Sequence, residues 1–330
     1  MTLETPERGH GNAGRPSKAR RLLETVRARL AALGPWWHLL FFSAGWLLLQ
    51  LRVVRQVRRA LVLFVFPGEA RRLILNGPVG EDTAWSALLE FVSFGAVLAA
   101  VWVMSRIERR PPAHGLPLDR GAAPSLGAGV LLGLGAMGVV VGGLWATGAL
   151  RFDSVLLTVP DALRSGMLWA IGCFAVALFE ESLFRGYPLR TLGSAIRFWP
   201  AAVVLSSLFG AAHGFNPGEN ARGLFSAFAF GLLFCLLIRR TGSLWTAVGF
   251  HLAWNWMEAF LFGMPDSGVL SHGRLLEASL RGPAWLTGGT AGPEGSVMCA
   301  PALLLVLLVV LLSPAGSRRS IPPAEASRPV

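Results

Sequence analysis

The sequence predicts an all-α protein, a polytopic transmembrane helical bundle of about eight spans, and three observations carry that prediction. Hydrophobic residues make up 53% of the 330 and charged residues only 15%, where a soluble domain carries about 25% charged residues. Mean hydropathy is +0.53. The apolar residues gather in charge-poor runs, each near the roughly 20 residues that cross a bilayer as a helix. This composition argues against a soluble globular enzyme. The formal charge of +11 comes from 29 Arg and one Lys against 19 acids. Most of these Arg flank apolar runs, where basic residues hold loops against anionic headgroups, so the partner they imply is the lipid bilayer and not nucleic acid.

The elements follow in order. Residues 1–35 read as a basic, disordered N-terminal tail, seven of the first thirty being Arg or Lys. The first apolar run lies too far along for a cleaved signal peptide and reads as a retained anchor. Residues 36–123 form an N-terminal membrane anchor region with spans at about 36–51 and 84–104. Between them Arg52, Arg55 and Arg59 share one helical face and Val53, Val57, Leu61 and Phe64 another, the pattern of a helix lying in the interface. Residues 124–313 form the main membrane domain, with spans at about 124–148, 164–184, 199–213, 223–238, 243–262 and 298–313. Residues 314–330, rich in Pro, Ser and Arg, read as a disordered tail.

Arg placement orients the bundle. Loops 105–123, 184–198, 239–242 and the C-terminal tail hold twelve Arg, and the loops of the opposite side hold five, so the first set is expected in the cytoplasm. Segment 52–83, with six Arg on the outer side, contradicts strict alternation. Cys173, Cys235 and Cys299 lie in apolar runs without CxxC spacing or a neighbouring His, which excludes a disulfide framework and a Cys metal site.

Ionisable side chains at membrane depth are costly, so they mark the chemistry. Glu180 and Glu181 end the fourth apolar run in FEESLFRGYPLR, His213 closes the fifth in SSLFGAAH, and His251, Asn255 and Glu258 lie in the seventh in GFHLAWNWMEAF. Glu181 and Arg185, four apart, form a natural acid-before-base pair that neutralises both and leaves Glu180 free. His251, Asn255 and Glu258 form one polar stripe, and Phe209 shares a face with His213. At 1.5 Å rise per residue, Glu180 lies roughly 8 Å, His251 about 13 Å and His213 about 21 Å from the cytoplasmic ends of their spans, which allows a shared cavity in the cytoplasmic half. Each motif alone has a plainer reading, as a snorkelled anchor or a helix–helix hydrogen bond. Glu258 reads as a supporting or span-end residue and Glu90 as facing a neighbouring helix. His10, His38, His114 and His272 fall outside the site.

The ordered set EExxxR at Glu180, Glu181 and Arg185, FxxxH at Phe209 and His213, and HxxxN at His251 and Asn255 resembles the CPBP family. These are intramembrane proteases related to the CAAX prenyl endopeptidase and to bacterial bacteriocin-processing and immunity proteins. The resemblance spans residues 164–262, and LTGGTAGPEGS before the last span is also similar to bacterial members. It implies that residues 124–313 are the protease domain and that Glu180 is the general base activating water. His213 would assist, His251 and Asn255 would stabilise the oxyanion, and Glu181 with Arg185 would support them. The family has also been described as zinc-dependent, and Glu180, His213 and His251 are of suitable ligand types, although no HExxH is present. The substrate would be a peptide or a lipid-modified protein, and the setting the inner (plasma) membrane of a bacterium. The rival from another class is a transporter or scaffold that binds an ion or a partner with the polar stripe of the seventh helix. No inverted repeat supports it.

Overall fold

The computed structural model describes residues 17–57, 60, 83–112, 114–270 and 272–313. The protein is mostly helical. Helices α1 (Lys18–Ala31) and α2 (Pro35–Leu49) lead into a π-helical turn at Gln50–Val54, followed by α3 (Thr83–Glu108) and α4 (Ala122–Ala146). Strand β1 (Leu150–Val155) precedes α5 (Val159–Glu181), a π turn at Ser182–Gly186, and α6 (Tyr187–Ile196). Then come α7 (Phe198–His213), α8 (Ala221–Thr241), α9 (Trp245–Asn255) with a π turn at Trp256–Leu261, β2 (Leu276–Leu280), the short α10 (Ala284–Thr287) and α11 (Cys299–Leu312).

All eight apolar runs are helical, and five helices are long and apolar enough to cross a membrane: Pro35–Val57, Leu89–Glu108, Ala122–Ala146, Val159–Ile196 and Ala221–Thr241. These five, found among the described residues, accord with the expected polytopic bundle. Phe198–His213 and Cys299–Leu312 are apolar but shorter, and the seventh run continues from α9 into a π turn. Three corrections follow. Part of the tail expected to be disordered is α1, capped by the Ser17 hydroxyl, which accepts from the Arg20 amide. Arg52, Val53, Arg55 and Val57 continue the helix of the first span and do not start a separate interfacial one. Arg59, Leu61 and Phe64 of that expected helix, His10 and the C-terminal tail lie outside the described residues. Finally, β1 and β2 pair antiparallel, Leu150 opposite Leu280, which adds a small sheet to the all-α bundle.

Local chemistry sets the helix ends. Thr158 caps α5 by accepting from the Asp161 amide, with Pro in the first turn. Asn220 caps α8 through the Arg222 and Gly223 amides, and Gly242 ends it in the left-handed region at φ +71°, the common pattern of a polar N-cap and a glycine beyond the C-terminus.

The core lies between α4, α8, α9 and α11, where Met137, Val140 and Leu144 pack with Phe230, Phe234, Phe250 and Trp254. The anchor region is not separate from it. Phe42, Val97, Val101 and Met104 pack with Tyr187 of α6 in one cluster, and Tyr187 donates to Glu108. His38 sits 3.7 Å from the same carboxylate. The helix that carries His251 is fixed by close backbone approach. A side chain on Gly249 would strike the Leu126 carbonyl, and one on Gly129 or Gly133 would strike carbonyls of α9, the small-residue packing that stands in for a hydrophobic drive between helices in lipid. Gly249→Ala should therefore destabilise the purified protein by about 1–3 kcal/mol, the usual cost of overpacking. Thermal unfolding in detergent checks this against Gly127→Ala, whose new methyl meets open space.

Candidate active site

The last turn of α5 presents two carboxylates with different surroundings. The Glu181 side chain is fully buried, and its Oε1 accepts from Arg185 Nη1 at 2.9 Å and from His251 Nδ1 at 3.1 Å. The guanidinium of Arg185, also fully buried, lies 4.1 Å from the centre of the Phe209 ring and 5.5 Å from that of Phe234. These distances are cation–π contacts that are strong where water is absent. Gly231 leaves the room for it, since a side chain there would meet Nη2. The Glu180 side chain is 25% exposed and lies 3.8 Å from His251 Nε2 through Oε2. That oxygen meets no hydrogen-bond partner among the described residues. Glu180 is thus the freer of the two carboxylates.

The two histidines are set by their partners. His213 Nδ1 lies 2.8 Å from the Phe209 carbonyl and His251 Nδ1 lies 3.1 Å from the Glu181 carboxylate. Both partners only accept, so both Nδ1 atoms carry protons and both Nε2 atoms are left for chemistry. Phe209 links the residues further, its ring centre 4.5 Å from that of His213 and 6.5 Å from that of His251. Two of the site's helices, α5 and α9, pass into a π turn next to their functional residues, after Glu181 and after Asn255, and π bulges are frequent at functional sites.

Glu180, His213, His251 and Asn255 all line one cavity of about 200 Å³, together with Phe209, Phe230, Phe234 and Trp254. The four candidate catalytic residues, which come from three separate helices, are therefore brought together, with Glu181 and Arg185 behind them. His114 lies apart in the loop before α4, its Nδ1 accepting from the Leu116 amide, and His272 follows the π turn of α9. Glu90 of α3 is close enough to Glu180 for their charges to repel.

The position of the cavity corrects the depth estimate. Its wall also includes Asn216, Asp266, Ser267 and Glu294, from loops at the end of the bundle opposite the Arg-rich connections. The site therefore reaches across to that end and is not confined to the cytoplasmic half. These loop residues went unrecognised in the sequence. Glu294 belongs to the GPEGS stretch and could have been suspected, whereas Asp266 sits in a loop without a motif. Burial, and then the nearby Glu294 carboxylate, push the Asp266 carboxyl well above its ordinary range. Burial likewise raises Glu219 in the loop before α8.

Glu180, His213 and His251 offer one carboxylate and two free Nε2 atoms, suitable in type for zinc. Their ligand atoms do not all come within 4.8 Å of one another, as those of Glu258, Asp266 and Glu294 do among the described residues. The three residues do not form a closed zinc site as they stand.

No curated protein and no solved structure matches the chain. Residues 163–257 match the family model described as Type II CAAX prenyl endopeptidase Rce1-like, a segment that contains Glu180, Glu181, Arg185, Phe209, His213, His251 and Asn255 and stops before the loops that complete the cavity. With its long apolar helices, the chain is a multi-pass membrane protein that is similar, over residues 163–257, to the Rce1-like family of CAAX prenyl endopeptidases.

Proposed function

We propose that the protein is an intramembrane endopeptidase of the bacterial plasma membrane, cutting a membrane-associated or prenyl-modified peptide with a water activated by Glu180. The observation that carries this reading is the division of labour between adjacent carboxylates. Glu181 is held by Arg185 and His251, while Glu180 faces the cavity shared with His213, His251 and Asn255. The 3.8 Å between Glu180 Oε2 and His251 Nε2 exceeds a direct hydrogen bond, and a water seated beside both atoms would reach each of them. Glu180 takes its proton as the hydroxyl adds to the scissile carbonyl. The Asn255 amide N–H donates to the oxyanion, as does His251 once its Nε2 is protonated, and His213 Nε2, bare at rest, takes up the proton that Glu180 drew from the water and passes it to the departing amine. The aromatic wall of Phe230, Phe234 and Trp254 suits an apolar substrate segment. Zinc, where bound, would lower the pKa of a water and polarise the carbonyl. In the reading proposed here the base is Glu180 itself.

The test incubates purified protein in detergent with prenylated and unmodified peptides, with Glu180→Gln as the control. Asn255→Ala should lower turnover by roughly 10² to 10³ without changing zinc content, and wild type freed of zinc by a zinc-selective chelator, with calcium and magnesium kept present, should keep its activity. Stoichiometric zinc whose removal and return switch cleavage off and on would overturn the metal-free reading.

A further inference from the structure

Beyond the catalytic residues, three acids from separate segments converge at the loop end of the cavity: Glu258 in the π turn after α9, Asp266 in the following loop and Glu294 in the GPEGS stretch. A carboxylate oxygen of each lies within 4.8 Å of the others. Glu258 is completely buried, and neither of its oxygens is in full hydrogen-bond geometry with a donor among the described residues. The two donors that face it are the Glu294 amide and the Trp254 indole, and the latter donates to Glu294 Oε1 at 3.0 Å. Among the described residues, no Arg or Lys is within ion-pair distance of any of the three. Glu294, Glu180, Glu219, His251 and Glu258 are among the ionisable groups around Asp266.

We propose that Glu258, Asp266 and Glu294 bind a hard divalent cation of the calcium or magnesium kind, distinct from the catalytic residues. A buried carboxylate whose neighbouring donors are out of full hydrogen-bond geometry is costly unless a cation or a proton offsets it. Carboxylate oxygens without imidazole or thiolate select hard ions over zinc. The surroundings hold the acids in place. The Ser267 hydroxyl donates to Glu294 Oε2 at 2.6 Å. Gly292, at φ +84°, packs so tightly on the Pro265 carbonyl that a side chain there would collide with it, which sets the Glu294 segment against the Asp266 loop. An ion here staples both loops to the end of α9, and because Asp266 and Glu294 also line the cavity, it fixes the rim of the candidate active site.

The experiment uses the full chain in detergent, stripped with chelator and titrated by calorimetry with calcium alone and with magnesium alone, followed by thermal unfolding with and without each ion. Wild type should bind about one equivalent of at least one of them and unfold at higher temperature when loaded. Glu258→Gln and Asp266→Asn should each weaken binding about tenfold or more. Glu180→Gln, which removes a charge near Asp266 but none of the three ligands, should weaken binding far less than Asp266→Asn, which separates this site from the proposed catalysis. The second variant changes a partly exposed residue, so the test survives if Glu258→Gln fails to fold. Three outcomes would overturn the proposal: no saturable binding by wild type at millimolar ion, unchanged binding in Asp266→Asn, or stripped wild type that neither ion stabilises, which would mean the carboxylates share protons instead.

Discussion

Glu180→Gln should abolish peptide cleavage, lowering turnover by about two to four orders of magnitude, while expression and membrane insertion stay at the wild-type level. Loss of a positioned general base has that cost. The structure explains why folding should be spared: the Glu180 side chain is partly exposed in the cavity, and its Oε2 has no hydrogen-bond partner among the described residues. Few native contacts are lost when the charge is removed. Turnover assays on equal amounts of folded protein check this, and activity near wild type would sink the assignment of Glu180 as base.

The neighbouring acid should behave in the opposite way. Glu181→Ala and Arg185→Ala should each lower folded yield as well as activity, because each leaves its partner as an uncompensated charge in a site with no exposure. Breaking a buried pair costs about 3–5 kcal/mol. Glu181→Ala also removes the acceptor that fixes the His251 ring, so its residual activity should be the lower of the two. The double variant Glu181→Gln, Arg185→Gln should fold better than either single alanine variant, since no lone charge remains. Detergent-solubilised yield and thermal unfolding read the effect, and two single variants that fold as well as wild type yet are inactive would make the pair catalytic and not structural.

The three motifs that carry the site could be read from the chain because each is local. The spacing of Glu181 and Arg185 predicts their pair, and the 2.9 Å contact between them is in place. The stripe of His251 and Asn255 predicts a shared face, and both line the cavity. From sequence Glu258 reads only as a supporting or span-end residue of its helix. Its neighbours, Asp266 and Glu294, reach it only through loop packing at Gly292 and Pro265.

The order of apolar runs and the residue types that can do chemistry at membrane depth were settled by composition and by a period of 3.6, which act over a few turns of one helix. Only the tertiary structure decided where each helix ends, since a helix end depends on caps and π turns. It also decided that the site reaches the loop end and that Arg185 rests between aromatic rings from α7 and α8. Those outcomes depend on contacts between segments distant in sequence, and the physical reason is close packing: where Gly129, Gly133 and Gly249 let α4 and α9 touch, the position of His251 is fixed by a helix more than a hundred residues away.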